Sequence, residues 1–192
     1  MELDEKINYI VSGLERSGTS MMMQILRAGE LPVSFENSRP PDENNPKGYY
    51  ELEGGKIIKK LIDGTFSFEK YRGKFIKITA YGLKYLPPGN YKIIYTERNI
   101  EEILDSMEKM IGKKDENREE TRDVFIRLNS MIKKQIINRG DIEVLFINYN
   151  EILSNPEQNI EKIVKFLGLS DRNLDMMIKS IDKNLYRQRR TL

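Results

Sequence analysis

The sequence predicts a three-layer α/β/α fold around a central parallel sheet, and two observations carry this prediction. Short apolar runs rich in β-branched and aromatic residues alternate with longer segments of helical periodicity. A glycine-bearing turn lies directly between the first apolar run and the first helical segment. Strands that alternate with helices pair in parallel, because each helix returns the chain to the same end of the sheet.

Each element follows from its local pattern. Strands are predicted at 7–12, 74–79, 91–96 and 142–148. Helices are predicted at 19–28, 51–63, 100–110, 121–138, 156–167 and 171–181. Residues 31–50 contain four prolines and form a long loop of the kind that usually has a function. The charged segment 113–120 is predicted to be a solvated bend.

Length and composition exclude several classes of protein. The 192 residues predict a single domain over 1–192, and the net charge of +2 favours neither a nucleic acid nor a membrane partner. Without a long apolar run or a signal-peptide pattern, we expect a cytoplasmic protein. The chain has no cysteine and no histidine, so thiol chemistry is excluded and no metal is expected. Any proton transfer must use a carboxylate, a lysine, a tyrosine or the substrate.

The turn from Gly13 to Ser20 has the spacing of the phosphate loop G-x-x-x-x-G-K-[ST], with Thr19 in place of the lysine. Successive amide N–H groups and the positive end of the following helix converge on one anion in such a loop. The fold is therefore predicted to be of the P-loop nucleotide-binding type. The missing lysine normally reaches the β- and γ-phosphates, so ATP fits poorly, whereas a single 5′-phosphate remains well held. The alternative is a glycine turn that binds no ligand.

Segments 11–13 and 16–20 resemble the 5′-phosphosulfate loop of the sulfotransferases that use 3′-phosphoadenosine 5′-phosphosulfate (PAPS). In that family, RSGT or KSGT replaces the usual lysine pattern. The resemblance implies that five residues bind the 5′ end of PAPS: Arg16, Ser17, Gly18, Thr19 and Ser20.

A second match to this family follows the third strand. Arg98 ends that strand, and Ser106 lies eight residues later, about 12 Å further along a helix at ~1.5 Å per residue. The family's 3′-phosphate site has the same arrangement, which implies that Arg98 and Ser106 bind this phosphate. In the alternative interpretation, Arg98 is a strand-end residue paired with Glu101 or Glu102.

Two later segments also resemble the family. Residues 146–153, Pro156 and residues 163–169 resemble its Y-E-x-L…P…I-x-x-F-L-G pattern, which is chiefly architectural. The basic tail resembles the C-terminal segment that closes over the 3′-phosphate in relatives, which implies that Arg187 and Arg189 bind the nucleotide. A frayed cationic terminus is the alternative.

The resemblance also suggests catalytic residues, namely Lys77, Glu51 and Arg16. Relatives carry a lysine like Lys77 directed at the transferred group, but the histidine of the cytosolic branch is Thr79 here. Other branches use a glutamate. Glu51 ends a stretch resembling N-P-x-G-x-[FY]-E and is the leading candidate base, ahead of Glu43 and Asp42. Its alternative role is to cap a helix.

These residues together predict a sulfotransferase that moves a sulfuryl group from PAPS, without a metal, to a hydroxyl or amine of a small-molecule or glycan acceptor. Candidate residues for the acceptor pocket are Tyr49, Tyr50 and Tyr81. Two alternatives remain open at this point: a P-loop kinase of a small metabolite, and a non-catalytic protein that binds adenosine 3′,5′-bisphosphate (PAP).

Overall fold

A parallel sheet forms the centre of the computed structural model, which describes residues 3–36, 40–43, 45–170, 172, 174–185 and 190. Its four strands lie in the order β2-β1-β3-β4. The strands are β1 (Asn8–Gly13), β2 (Phe75–Lys77), β3 (Tyr91–Glu97) and β4 (Ile142–Asn148). The α-helices are α1 (Thr19–Ala28), α2 (Ile57–Ile62), α3 (Ile100–Ile111), α4 (Arg118–Ile137), α5 (Tyr149–Ser154), α6 (Pro156–Leu167) and α7 (Leu174–Lys179).

Helices cover both faces of the sheet. One face is packed by α1, α5, α6 and α7, and its core includes Val11 and Met22. The other is packed by α2, α3, α4 and a 3₁₀ helix at Ala80–Tyr85, and its core includes Ile10 and Ile103. Neighbouring residues of β1 thus enter opposite cores, because side chains alternate along a strand. The predicted three-layer fold with a parallel sheet is confirmed.

The predicted helix at 51–63 is wrong in its first half. A short 3₁₀ helix occupies Glu53–Gly55, and α2 begins at Ile57. Gly54 and Gly55 have φ of 59° and 77°, which lie in the left-handed region. An α-helix cannot continue through two such residues, so the chain turns before α2 forms.

The charged segment 113–120 was predicted to be a solvated bend, yet α4 begins inside it. The Arg118 guanidinium lies 2.8 Å from Glu101, 2.7 Å from Asp105 and 2.8 Å from Glu108, all on α3. These ion pairs anchor the first turn of α4 to its neighbour. Among the described ranges, no helix is long and apolar enough to cross a membrane.

The topology creates a crevice between β1 and β3. Helix α1 follows β1 onto one face of the sheet, whereas α3 follows β3 onto the other. The two strands are neighbours, with Gly13 opposite Thr96 at their carboxyl ends. Parallel sheets bind ligands at such a switch point, because the diverging helices leave space above the strand ends.

Candidate functional site

The turn after β1 is shaped by close contacts that only glycine allows. Gly13 has a φ of 147°, and a Cβ there would lie 2.4 Å from both Ser17 Oγ and the Thr96 carbonyl oxygen. Ser17 Oγ is 2.9 Å from Thr96 Oγ1, which donates in turn to the Ser12 carbonyl at 3.1 Å. Ser17 is therefore a buried brace that holds the turn against β3, rather than a residue on the surface of the crevice.

The start of α1 is open to the crevice. The helix is preceded by Gly18 (φ 102°), which has no side chain that could cap the first N–H groups. Thr19 and Ser20 line the crevice directly above them. Uncapped amides at the positive end of a ten-residue helix attract an anion. Binding of an anion at this point stays a prediction.

Arg16 and Ser106 meet across the crevice. Arg16 lies in the left-handed region, with a φ of 64°, and its Nε donates to Ser106 Oγ at 2.9 Å. The loop after β1 and the middle of α3 are therefore joined by one hydrogen bond. This pairing was not predicted, because the sequence analysis places Ser106 with Arg98 at the 3′-phosphate and Arg16 at the 5′ end of PAPS.

Arg98 is held between three groups. Its Nε donates to Glu102 Oε2 at 3.0 Å, and one terminal nitrogen donates to the Arg16 carbonyl at 3.2 Å. Its guanidinium carbon lies 4.6 Å from the centre of the Tyr149 ring, a cation–π contact. The alternative interpretation of Arg98 as a partner of Glu102 therefore describes a real ion pair. Arg98 nevertheless lines the crevice beside Arg16.

Lys77 connects the sheet to the long loop. It ends β2, is buried, and its Nζ donates to the Tyr49 carbonyl. The same carbonyl accepts a hydrogen bond from Ser20 Oγ at 3.4 Å, and Ser20 Oγ accepts one from Asn45 Nδ2 at 3.0 Å. One loop segment thus contacts both the lysine and the start of α1.

The acidic candidates lie in different surroundings. Glu51 is half-buried and lines the crevice. Asp42 instead accepts the Tyr49 hydroxyl at 2.8 and 2.7 Å, and Glu43 is exposed. The capping role weighed for Glu51 does not apply to α2, because that helix begins six residues later at Ile57.

The three tyrosine candidates for the acceptor pocket also lie in different surroundings. Tyr49 lines the crevice. Tyr50 is buried against Phe35, with ring centroids 4.8 Å apart, and Tyr81 is an exposed residue paired with the Tyr85 hydroxyl at 2.7 Å. Only the first of the three therefore fits an acceptor pocket in the described part of the chain.

One crevice of about 260 Å³ collects most of the residues singled out from the sequence. Those lining it are Arg16, Gly18, Thr19, Ser20, Glu51, Lys77, Arg98 and Ser106. Arg187 and Arg189 lie outside the described residues. Within the described ranges, no group of three or more acidic residues could hold a metal ion.

Sequence reasoning missed two residues of this site. Tyr149 was taken as architectural, but its ring lies under Arg98 and lines the crevice. Glu102 lies on α3, one turn after Arg98. The sequence suggested it only in the alternative interpretation, in which Arg98 pairs with an acidic residue and does not bind a phosphate. The i, i+4 spacing of an arginine and a glutamate was the available signal.

Comparison with solved structures agrees with the fold. The sulfotransferase domain of the Synechococcus PCC 7002 olefin synthase matches with a TM-score of 0.58 at 12% identity, covering 98% of this chain and 90% of that one. Retinol dehydratase in complex with androsterone and the inactive cofactor PAP matches with a TM-score of 0.55 at 17% identity. A mouse sulfotransferase complexed with PAP matches with a TM-score of 0.53, also at 17% identity.

The last two matches cover 93% and 94% of this chain but 65% of each relative, so the chain spans about two thirds of their length. No curated protein sequence matches it. The family model of the sulfotransferase domain, in contrast, matches residues 6–192. Because this match spans nearly the whole chain, the protein belongs to the sulfotransferase domain family.

Proposed function

We propose that this protein transfers a sulfuryl group from PAPS to a hydroxyl or amine of an acceptor. The observation that carries the proposal is the convergence of cations on one crevice. Arg16 follows β1, Lys77 ends β2 and Arg98 follows β3, and all three line the space above the uncapped start of α1. A donor with negative charge at two separated positions matches this distribution of positive charge.

The chemistry of the lining groups fits PAPS. The start of α1 offers amide N–H groups and the hydroxyls of Thr19 and Ser20 to a 5′-phosphosulfate. Arg98 offers a planar fork of donors, and Ser106 a hydroxyl, to a 3′-phosphate on the α3 side. Side chains and amides supply positive charge to this site. The PAP in the mouse sulfotransferase and in retinol dehydratase supports the same ligand class.

When bound, PAPS would supply a sulfuryl group joined to a phosphate that leaves as PAP. The acceptor oxygen or nitrogen forms a bond to sulfur, while the bond from sulfur to the bridging phosphate oxygen breaks. Lys77 would stabilise the negative charge that develops on the bridging oxygen. Arg16 would stabilise charge on the 5′-phosphate side. Charge stabilisation and alignment carry most of the catalysis in transfers of this kind.

Glu51 would accept the proton that the acceptor loses. Its half-buried side chain lines the same crevice as Lys77, on the side formed by the long loop. Met21, Pro46 and Tyr49 also line the crevice and would contact a partly apolar acceptor. Androsterone in the retinol dehydratase structure is an example of a small hydroxyl-bearing ligand.

A thermal-shift comparison of PAP with ATP, followed by a transfer assay, tests the proposal. A ligand at about 100 times its Kd stabilises the fold by roughly 2.7 kcal/mol. That corresponds to about 5–10 °C for a domain of this size. We expect PAP to produce this shift and ATP with magnesium to produce little. We also expect radiolabelled sulfur from PAPS to appear in acceptors of a cell extract.

Two results would contradict the proposal in different ways. Stabilisation by ATP with magnesium, together with its hydrolysis, would identify a kinase. Tight PAP binding without transfer of label to any acceptor would identify a non-catalytic binding protein. The variant Arg16→Ala should weaken PAP binding, and the exposed Arg127 on α4 provides the matched control Arg127→Ala.

A further inference from the structure

A buried carboxylate lies behind the crevice. The Glu102 side chain is 1% exposed, on the first turn of α3. Its Oε2 accepts from Arg98 Nε at 3.0 Å, and its Oε1 accepts from the Arg190 backbone N–H at 3.2 Å. Asn150 Nδ2, at the start of α5, lies 3.2 and 3.1 Å from the two oxygens. One carboxylate therefore joins the end of β3, the segment after β4 and the C-terminal region.

These contacts restrict the orientation of Arg98. Glu102 accepts a hydrogen bond from Arg98 Nε, and the Arg16 carbonyl accepts one from a terminal nitrogen of Arg98. The Tyr149 ring covers one face of the guanidinium. The Arg98 side chain is only 7% exposed. The guanidinium of an arginine fixed in this way keeps one orientation, whereas a solvated arginine samples many rotamers.

Arg190 also contacts α3 through a second carboxylate, that of Asp105. Its Nε and one terminal nitrogen each lie 2.7 Å from an oxygen of Asp105, which gives a bidentate pair. The hydrogen bond from Arg190 holds the pKa of the Asp105 carboxyl below its ordinary value. Asp105 directly precedes Ser106, so Arg190 contacts α3 beside the hydroxyl that lines the crevice.

We propose that Glu102 is a positioning residue for nucleotide binding: it fixes Arg98 toward a 3′-phosphate and holds Arg190 beside the same site. The inference rests on the proposed function, because it assumes that Arg98 binds this phosphate. It extends that function by assigning the selectivity for a 3′-phosphate to a carboxylate that does not touch the ligand.

A carboxylate beside a phosphate-binding arginine has two opposing effects. The negative charge of the carboxylate repels the phosphate. If the carboxylate only neutralised Arg98, it would therefore weaken phosphate binding, and removing it would tighten that binding. As a positioning residue it strengthens binding by holding the donors in place, and its removal loosens it. With Arg98 this deeply buried and held on three sides, we expect the second effect to dominate.

Binding of two nucleotides to the full chain separates these effects. PAP carries the 3′-phosphate and 5′-AMP lacks it. In Glu102→Gln, we expect PAP to bind roughly tenfold more weakly, the lower end of what a hydrogen bond to a charged group contributes. The affinity for 5′-AMP should change less than about twofold, since that nucleotide does not use the 3′ site. Arg98→Ala should show the same selective loss, and the double variant should lose no more than Arg98→Ala alone.

Glu108→Gln is the matched control. Glu108 lies on the same helix and is paired with Arg118 at 2.8 Å rather than with Arg98. It should leave the ratio of the PAP and 5′-AMP dissociation constants unchanged. If Glu102→Gln does not fold, Glu102→Asp keeps the charge but withdraws the carboxylate by one methylene, and it should raise the dissociation constant of PAP relative to that of 5′-AMP about threefold.

The two hypotheses fail differently. If the wild type does not bind PAP, or binds PAP and 5′-AMP equally, the proposed function falls and the inference with it. If the wild type prefers PAP and the Glu102 variants weaken the binding of PAP and of 5′-AMP by the same factor, the residue is merely structural. Unchanged or tighter PAP binding in those variants would show that Glu102 does not position Arg98.

Discussion

The two sides of the crevice are built differently. On the side proposed to bind PAPS (the donor side), groups lie at the ends of hydrogen-bonded strands: the turn after β1 is braced by Ser17 and Thr96, and Arg98 is fixed by Glu102. On the side proposed for the acceptor (the acceptor side), the loop containing Tyr49 is held by a few side-chain contacts. The sheet therefore fixes the positions of the groups on the donor side. The loop is positioned largely by its contacts with those groups.

Lys77 is the point at which the two sides meet. Its Nζ donates to the Tyr49 carbonyl while its backbone belongs to β2. A bound phosphosulfate would compete with that carbonyl for the same ammonium group. Donor binding and the position of the loop are therefore expected to influence each other through this side chain.

The largest expected effect comes from Lys77→Met. If the ammonium stabilises charge only as it develops, kcat for sulfuryl transfer should fall by about 10²-fold or more, the range for loss of one electrostatic donor. The affinity for PAP should change much less. The exposed Lys74, just before β2, gives the control Lys74→Met, which should retain full activity. An equal fall in affinity and rate would instead identify Lys77 as a binding residue on the donor side.

The next effect comes from Gly18→Ala. A Cβ at Gly18 would lie 2.3 Å from Cδ2 of the Tyr149 ring, and its φ of 102° already disfavours other residues. Gly112→Ala shares the positive φ, at 73°, but its Cβ would meet nothing within 4 Å. We expect the Gly18 variant to lower the free energy of unfolding by about 1–3 kcal/mol more than the control. Equal melting temperatures for the two variants would indicate that the space between Gly18 and the Tyr149 ring accommodates a methyl group.

The smallest effect should come from Tyr49→Phe, which tests the loop alone. Removing the hydroxyl breaks its bonds to Asp42 at 2.8 and 2.7 Å. Amide exchange at Asn45 and Gly48 should accelerate roughly tenfold, as a local loss of about 1.4 kcal/mol implies. PAP affinity and the melting temperature should hardly change. Tyr81→Phe, with its hydroxyl paired to Tyr85, is the control. A weakened PAP affinity would mean that the two sides are not separable.

Local sequence patterns were sufficient for the strands and for the turn between β1 and α1. The strand boundaries differ from those predicted by at most two residues, because β-branched runs bounded by turns mark buried strands well. The helix expected at 51–63 was overestimated, since its apolar spacing outweighed Gly54 and Gly55 in the prediction. The short helix α5 was not predicted, because six residues carry too little periodicity.

What the sequence determined by itself is the fold class, the turn between β1 and α1, and the strand ends at which the cations lie. These follow from spacing of three to eight residues, over which chain geometry is nearly fixed. Only the tertiary structure decided that Arg16 meets Ser106, that Tyr149 supports Arg98, and that Glu102 contacts Arg190. Those partners are separated by 90, 51 and 88 residues, and the packing of the helices on the sheet brings them together.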